Sequence, residues 1–426
     1  MTRPPRVLLI FTGAWLIASA ALVTRLTFAW HQQSKIPHAV LARVPFDQET
    51  GNIALALSQG HGYANLFRKD TGPTAWLAPV YPALLFLVFH FFGALTLASF
   101  FVAVLLNALL SAAAVFPLYA VARRLGGLSV AAATGWAWVL FPAGVLMPFE
   151  WIWDTSLSVL LAVTLVWATL HVAESVKPAL WVGYALLWSV TLLTNPSLGI
   201  GLPFLLVWIV FRVGFGSRRS WALCAMACAV MVCCCLPWAI RNYRQFHRLI
   251  PIRSSFAFEL WIGNNDIFDE HAIHGIQRIT RFEETRRYTQ LGETAYLDEK
   301  WHLASSFIKE NPALFTRLTG RRVVATWCGT EHPYDDFVRT DSLLARSILI
   351  LNVFLIAGTG AGICLLIARK QPLAIPVTVF PLLYPVVYYV THTSLRYRHP
   401  IDPLLLLLAA YSAVAPFRVL TGRSVR

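Results

Sequence analysis

The stretch Trp76-Leu77-Ala78-Pro79-Val80-Tyr81-Pro82-Ala83-Leu84-Leu85-Phe86-Leu87-Val88-Phe89-His90-Phe91-Phe92-Gly93 decides the topology of this chain. It is apolar over nearly the length of a membrane span, which takes about 20 mainly apolar residues. Pro79 and Pro82 interrupt its start. If it crosses the membrane, every later loop changes side. The basic residues settle the choice. With the N-terminus inside and residues 76–93 not crossing, Arg123-Arg124, Lys177, Arg218-Arg219, Arg369-Lys370, Arg418, Arg423 and Arg426 all fall inside, as the positive-inside rule requires. A crossing would put most of them outside. Residues 76–93 are therefore expected to lie along, or dip into, the outer face, with Tyr81 near the functional cavity.

Working outward, spans are expected near residues 7–30, 97–121, 130–147, 155–172, 179–194, 198–213, 221–238, 343–368, 373–390 and 401–416, about ten in all. The first follows Arg3 and Arg6 and has no small-residue cleavage site, so it reads as a retained anchor. The fold class is mainly α: a polytopic transmembrane helix bundle with an outward-facing mixed domain. Three parts follow. Residues 1–238 form an N-terminal membrane module whose first external loop covers about 31–96. Residues 239–341 form an external domain with helical periodicity at 294–307 and 312–324 and a turn at Gly263-Asn264-Asn265. Residues 342–426 hold the C-terminal spans. The expected location is the cell's inner (plasma) membrane, with both termini cytoplasmic.

Composition agrees. Of 426 residues 57% are hydrophobic and only 13% charged, against roughly 25% charged in a soluble chain. The net charge of +14 is accounted for by the positive-inside bias, so no nucleic-acid partner is expected. Cys224, Cys228, Cys233, Cys234 and Cys235 share one apolar stretch with no His or carboxylate nearby. They read as small apolar helix residues and not as a metal site.

The informative residues are carboxylates at the membrane surface. Asp47 and Glu49 stand just before a helix-like run, Ile53-Ala54-Leu55-Ala56-Leu57, and a turn, Gly60-His61-Gly62. Alone they read as a solvated helix start, since acids favour the first turn. The second loop, Pro148-Phe149-Glu150-Trp151-Ile152-Trp153-Asp154, changes the balance, because two acids between Trp residues at a span end are costly without a role. Four apart, they share a face if the segment is helical. Glu150 reads either as an interfacial cap or as a substrate contact; Asp154 is the stronger candidate.

On these residues the chain resembles the GT-C glycosyltransferases, the membrane enzymes that include protein O-mannosyltransferases and the aminoarabinose transferase of lipid A. The first-loop acids ahead of Ile53-Ala54 and a Gly-x-Gly turn carry the likeness, as does the Pro-rich run Gly72-Pro73-Thr74-Ala75-Trp76-Leu77-Ala78-Pro79-Val80-Tyr81-Pro82. Asp154-Thr155-Ser156-Leu157-Ser158, Leu193-Thr194-Asn195-Pro196 and Pro237-Trp238-Ala239-Ile240-Arg241-Asn242-Tyr243 add to it. The usual adjacent Asp-Glu is here Asp47-Gln48-Glu49. Which of the two acids is catalytic stays open; aligning on Ile53-Ala54 puts Asp47 nearer the usual position.

The resemblance implies inverting transfer of a sugar from a polyprenyl-phosphate donor to a protein, lipid or glycan acceptor on the outer face. Asp47 or Glu49 would take the acceptor's proton. Asp154 would orient the acceptor, position the base, or share a divalent metal ion with Asp47. The donor phosphate needs cations, for which Arg396, Arg398 and His399 are the first candidates and Arg68 and Lys69 the alternatives. Arg241 reads equally as an interfacial anchor. The competing class is a transporter or flippase for a lipid-linked sugar. It calls for charges across the span centres, which hold almost none.

Overall fold

Inside a bilayer every backbone N–H and C=O must be paired within the chain, and helices achieve this segment by segment. The computed structural model describes residues 6–67, 70–265, 281–329 and 343–420 and is correspondingly helical. The described residues contain no strand, only an isolated antiparallel bridge between Ala64 and Pro73. Among them, six stretches are long and apolar enough to cross a membrane: Thr12–Gln33, Leu97–Leu140, Thr155–Val172, Pro196–Gly214, Arg218–Phe246 and Arg346–Ala368. Val80–Phe92, Pro178–Leu192 and Ala374–Val390 are shorter apolar helices. The chain is a multi-pass membrane protein.

The N-terminal half runs α1 (Arg6–Gln33), a short α2 (His38–Leu41), a 3-10 turn (Val44–Phe46), α3 (Glu49–Ser58), α4 (Val80–Phe92), α5 (Leu97–Ala113) and α6 (Val115–Leu140). There follow α7 (Pro142–Glu150), α8 (Thr155–Val172), α9 (Pro178–Leu192), α10 (Leu202–Gly214) and α11 (Arg218–Phe246). The 44 residues of Leu97–Leu140 would extend roughly 66 Å as one straight helix, about twice a bilayer core. The chain instead breaks inside α6 at Gly127, where φ is 74° and ψ −169°, a conformation open to glycine. Arg123 and Arg124 sit just before the break, at the turn expected between two passes.

Helix α4 has 13 residues, roughly 20 Å, which is short of the hydrocarbon thickness of about 30 Å. It begins after Pro79 and stops at Gly93, where φ is 83°. Thr96 and Ser99 then form a reciprocal capping box that starts α5. The helical part of the pivotal stretch is thus shorter than residues 76–93, and it packs on α3 and α5.

Beyond α11 come α12 (Phe256–Gly263), α13 (Arg281–Leu291), α14 (Glu293–Glu310) and α15 (Pro312–Cys328). The last two match the expected helices at 294–307 and 312–324. The chain ends with α16 (Leu343–Ala368), α17 (Ala374–Leu383), α18 (Val386–Val390), α19 (Leu395–Arg398) and α20 (Asp402–Leu420). Helices α16 and α20 approach closely at Gly358 and Gly362. A Cβ on Gly362 would stand 2.3 Å from the Leu408 carbonyl oxygen, and one on Gly358 2.9 Å from Ala409 Cβ. This is the small-xxx-small device of membrane helix pairs. The buried core is centred on Trp138, Trp181, Trp188 and the Leu404–Leu408 run of α20.

Two charges, Glu293 buried and Arg241 half-buried, tie the extramembrane parts together. Glu293, 4% exposed, accepts from Thr74 Oγ1, Ala75 N (2.8 Å), Ser254 Oγ (2.7 Å) and Tyr288 OH (2.8 Å). It clamps the Pro-rich first-loop run to α13, α14 and the segment after α11. Arg241 donates to the carbonyls of Thr74 (2.6 Å) and Tyr63 (2.8 Å) and so staples the same loop, besides packing on Trp238. Glu293→Ala leaves several buried donors without partners, at about 1–3 kcal/mol each. The variant is expected to lower the thermal unfolding midpoint in detergent sharply, while exposed Glu283→Ala does not.

Candidate active site

Helix α7 ends at Glu150, and Trp151 is extended (φ −124°, ψ 96°). Asp154 is the residue immediately before α8. The expectation that Glu150 and Asp154 share a helical face is therefore corrected: the helix breaks between them, Glu150 is exposed and Asp154 half-buried. The break has a physical use. It projects the indoles of Trp151 and Trp153 onto Arg396, whose guanidinium carbon lies 4.6 and 4.5 Å from the two ring centroids and 5.1 Å from that of Tyr397. Arg396 Nη2 donates weakly to Tyr397 OH (3.4 Å). Its Nη1 is enclosed without a protein hydrogen-bond partner.

Carboxylates lie within electrostatic reach of this cation. Glu49, the first residue of α3, and Glu259 of α12 both act on Arg396 electrostatically. Burial alone would lower the guanidinium pKa, but the Tyr397 hydroxyl and these two acids outweigh it and hold the charge on. Asp154 also lies within electrostatic reach of Arg396 and of Arg253. Burial raises the Asp154 pKa; the Ser158 hydroxyl, Arg396 and Arg253 pull the other way. His392 places Nδ1 3.2 Å from Glu259 Oε2, while its Nε2 lies 3.1 Å from Tyr397 OH. Burial chiefly lowers the His392 pKa and favours the neutral ring, against the pull of Glu259 toward the charged one.

A chain of hydroxyls and amides fixes Asp154 from below. Ser158 Oγ donates to Asp154 Oδ2 (3.0 Å), and Asn195 Nδ2 donates to Ser158 Oγ and to Tyr384 OH (3.2 Å each). Tyr384 OH reaches Tyr388 OH (3.0 Å), and the Tyr388 ring stacks on Tyr397 with centroids 4.6 Å apart. Asn195 also caps the 3-10 helix Pro196–Gly201 through Ser197 N (3.2 Å). Tyr81, buried, donates to Asn107 Oδ1 (2.8 Å) and lies within electrostatic range of Asp154. Arg322 orients the external wall: it donates to the carbonyls of Gly263, Tyr389 and Val390 and to Asn264 Oδ1. That joins the end of α12 to the segment carrying His392 and Arg396.

A fold with these features has known counterparts. Over 98% of its length the chain superposes on 52% of the archaeal oligosaccharyltransferase AglB from Archaeoglobus fulgidus, in complex with an inhibitory peptide and a dolichol-phosphate, with TM-score 0.54 and 14% identity. A second structure of the Archaeoglobus fulgidus oligosaccharyltransferase, a complex with Zn and sulfate, gives TM-score 0.55 at 12% identity, over 96% of this chain and 50% of that one. The chain has the GT-C fold. It spans about half the length of these GT-C structures. ArnT from Cupriavidus metallidurans bound to undecaprenyl phosphate matches 96% of this chain and 78% of that chain at 15% identity; its TM-score of 0.41 is too low to carry weight. No protein-family model and no curated protein matches the sequence.

Within the GT-C frame, the sequence candidates divide. Glu49, Asp154, Arg396 and Tyr81 gather at one end of the bundle. Asp47 lies at the end of the 3-10 turn Val44–Phe46, half-buried and two residues from Glu49. Arg398 and His399 turn away from the acids. Arg398 is 5% exposed and donates to Asp402 Oδ1 (2.8 Å), the Trp327 carbonyl (2.8 Å) and Asn352 Oδ1 (2.6 Å). His399, fully buried, faces Asp402 (3.0 Å) and stacks on Trp138. The grouping of Arg396, Arg398 and His399 as one cation set is thus separated: in a helix, residues two apart do not face the same way. Arg68 and Lys69 lie outside the described residues. Among the described residues no three His, Cys, Asp or Glu side chains form a metal-ligand group.

Glu259, His392 and Arg253 escaped the sequence reading. Glu259 had a usable signal, a lone acid in the apolar run Phe256–Gly263. Arg396→Ala is expected to weaken binding of a short-chain polyprenyl phosphate by about 1.5–3 kcal/mol, measured by titration in detergent, and to damage donor binding more than folding, followed by thermal unfolding. Arg398→Ala, which strands a buried Asp402, should instead cost about 3–5 kcal/mol of stability.

Proposed function

We propose that the chain is a membrane glycosyltransferase that moves a sugar from a polyprenyl-phosphate donor to an acceptor hydroxyl or amine at the outer face of the cell's inner membrane, with inversion. The observation that carries this reading is Arg396: a cation caged by Trp151, Trp153 and Tyr397, with an unpartnered Nη1, facing Glu49, Asp154 and Glu259. An unpaired arginine donor beside carboxylates suits a phosphate that leaves as an acid accepts a proton. The similarity to oligosaccharyltransferase structures, one of them with a dolichol-phosphate, supports the same class of donor.

In the proposed reaction the acceptor oxygen or nitrogen attacks the sugar's anomeric carbon. That bond forms as the carbon–oxygen bond to the phosphate breaks, and polyprenyl phosphate departs with the electron pair. The acceptor's proton passes to Asp47. Glu49 steers Arg396, which holds the phosphate, and Asp154, fixed by Ser158 and Asn195, orients the acceptor. Glu150 lines the rim beside Trp151 and Trp153, and Tyr81 supports the floor. The external domain, 239–341, supplies Glu259 and Arg253 and shapes acceptor choice.

Purified protein given radiolabelled polyprenyl-phosphate sugars and a membrane extract should yield a labelled product. Asp47→Asn should reduce turnover by about a thousandfold or more, within the range of general-base losses and beyond, with donor binding intact. Asp154→Asn should lower turnover and Glu49→Gln should act mainly through donor affinity. The reverse pattern at Asp47 and Glu49 moves the base to Glu49. If all three variants transfer normally, the transferase reading fails and the transporter reading takes its place.

Both termini are proposed to be cytoplasmic. In a cysteine-free background, a thiol at exposed position 61 should react with an impermeant reagent from outside intact cells, and one at position 123 only after permeabilisation. Labelling of 123 from outside reverses the orientation.

A further inference from the structure

We propose that the end of the bundle opposite the acid cluster carries a site for an anionic phospholipid, with the phosphate at Arg123 and Arg124 and one acyl chain in the groove between α1, α6 and α8. The groove has a volume of about 660 Å³. Its walls are Ala14 of α1, Phe116 and Ala120 of α6, and Thr164 and Trp167 of α8, while Arg123, Arg124 and His171 form its rim. Helix α8 begins beside Asp154 and reaches His171 seventeen residues later, so this rim lies roughly 25 Å from the acids.

The polarity of the groove is one-sided, as a lipid's is. From Arg123 to Phe116, and from His171 to Thr164, the helices run seven residues, or roughly 10 Å, through walls that are almost entirely apolar. Charge appears only at the rim. His171 Nδ1 lies 2.9 Å from the Trp167 carbonyl, which can only accept, so Nδ1 carries the hydrogen. Nε2 then takes a hydrogen bond from Arg124 Nη2 (3.3 Å), which requires a neutral ring. Arg124 also pairs with Glu174 (3.1 Å), an exposed contact. Arg123 is exposed next to it. Two arginines against one glutamate and a neutral histidine leave the rim with a net positive charge.

The rim's neighbours make the preference for an anion stronger. Lys177, Arg212, Arg218, Arg219, Arg369 and Lys370 lie at the same end, and Glu174 is the one acid there among the described residues. A zwitterionic headgroup gains little from such a field. A headgroup with net negative charge gains about 1 kcal/mol per nearby basic residue, roughly a fivefold factor each. A basic pocket between membrane helices over an apolar slot is the arrangement that retains such lipids.

The test uses the full-length protein, delipidated in neutral detergent. Retention of phosphatidylglycerol and of phosphatidylcholine is compared by native mass spectrometry. Phosphatidylglycerol should be retained preferentially. Arg123→Gln should weaken its retention about fivefold, and Arg123→Gln with Arg124→Gln about thirtyfold. Ala120→Trp fills the slot while leaving the rim charges in place, and it too should abolish the preference. Equal retention of the two lipids overturns the proposal, as does an unchanged preference in the double arginine variant. Full phosphatidylglycerol retention in Ala120→Trp also overturns it, since the lipid would then be held by surface charge and not by the groove. Arg123 is exposed, so its replacement leaves folding intact and decides the matter even if Ala120→Trp is unstable.

Discussion

The guanidinium of Arg396 sits between two indoles, and the geometry of the outer surface follows from that contact. An enclosed donor without a partner costs about 1–3 kcal/mol, and here Nη1 is such a donor. The charge persists because the Tyr397 hydroxyl, Glu49 and Glu259 act on it, with Asp154 within electrostatic reach. To bring Trp151 and Trp153 onto the cation, the chain must leave helix after Glu150 and re-enter it after Asp154. To bring the cation onto the indoles, the segment after α18 must fold back over α12. A membrane helix broken at a surface, with irregular backbone on either side, is tolerated only where protein covers it, and α3, α12 and α19 provide the cover.

That cover is held by polar contacts as well as by apolar packing around Trp76, Tyr288 and Tyr296. Glu293 gathers donors from the first loop, from the segment after α11 and from α13. Arg322 gathers carbonyls from α12 and α18. Both residues are nearly inaccessible. A lipid-facing helix is positioned by shape and can slide, since tails and side chains are equally apolar. A buried carboxylate with several donors has one arrangement that satisfies all of them. The extramembrane segments are therefore set on the bundle in a single register, which is what an assembly of acids from α3, α8 and α12 around one arginine demands.

Much of this was legible in the sequence, for identifiable reasons. Apolar length marks the long membrane-competent stretches, and the paired arginines Arg123 and Arg124 mark the turn before Gly127. Periodicity gives α14 and α15 in the external segment. Asp154 stands out with Glu150 because charge at a span end is costly, whereas Asp47 and Glu49, a solvated helix start when read alone, are singled out by the family resemblance. What was hidden depends on tertiary placement. Glu259 and His392 are linked across more than a hundred residues, and no local pattern pairs them. The Glu150–Asp154 face assumed an unbroken helix, and the break answers to Arg396, a partner far away in sequence. Arg396 and Arg398 look equivalent as Arg-Tyr-Arg, yet two residues along a helix, roughly 200° of rotation, send them to opposite sides.

The arginines themselves show how structure separates roles that composition cannot. A guanidinium carries five donors. Arg25, in the first membrane helix, donates to Ser111 Oγ and to the Ala21 and Trp138 carbonyls. Arg322 is occupied by three carbonyls and an amide oxygen. Arg398 is occupied by Asp402, Asn352 and the Thr326 and Trp327 carbonyls. Each of the three spends at least three donor contacts on its own chain, so a ligand anion would compete with bonds already made in low dielectric. Arg396 has aromatic faces in place of acceptors and one long bond to Tyr397. Aromatic rings stabilise the charge without consuming the N–H groups, so the cation remains available to an incoming anion. Unlike these three, it combines a held charge with an enclosed donor that has no protein partner, and it lies within electrostatic reach of Glu49, Glu259 and Asp154.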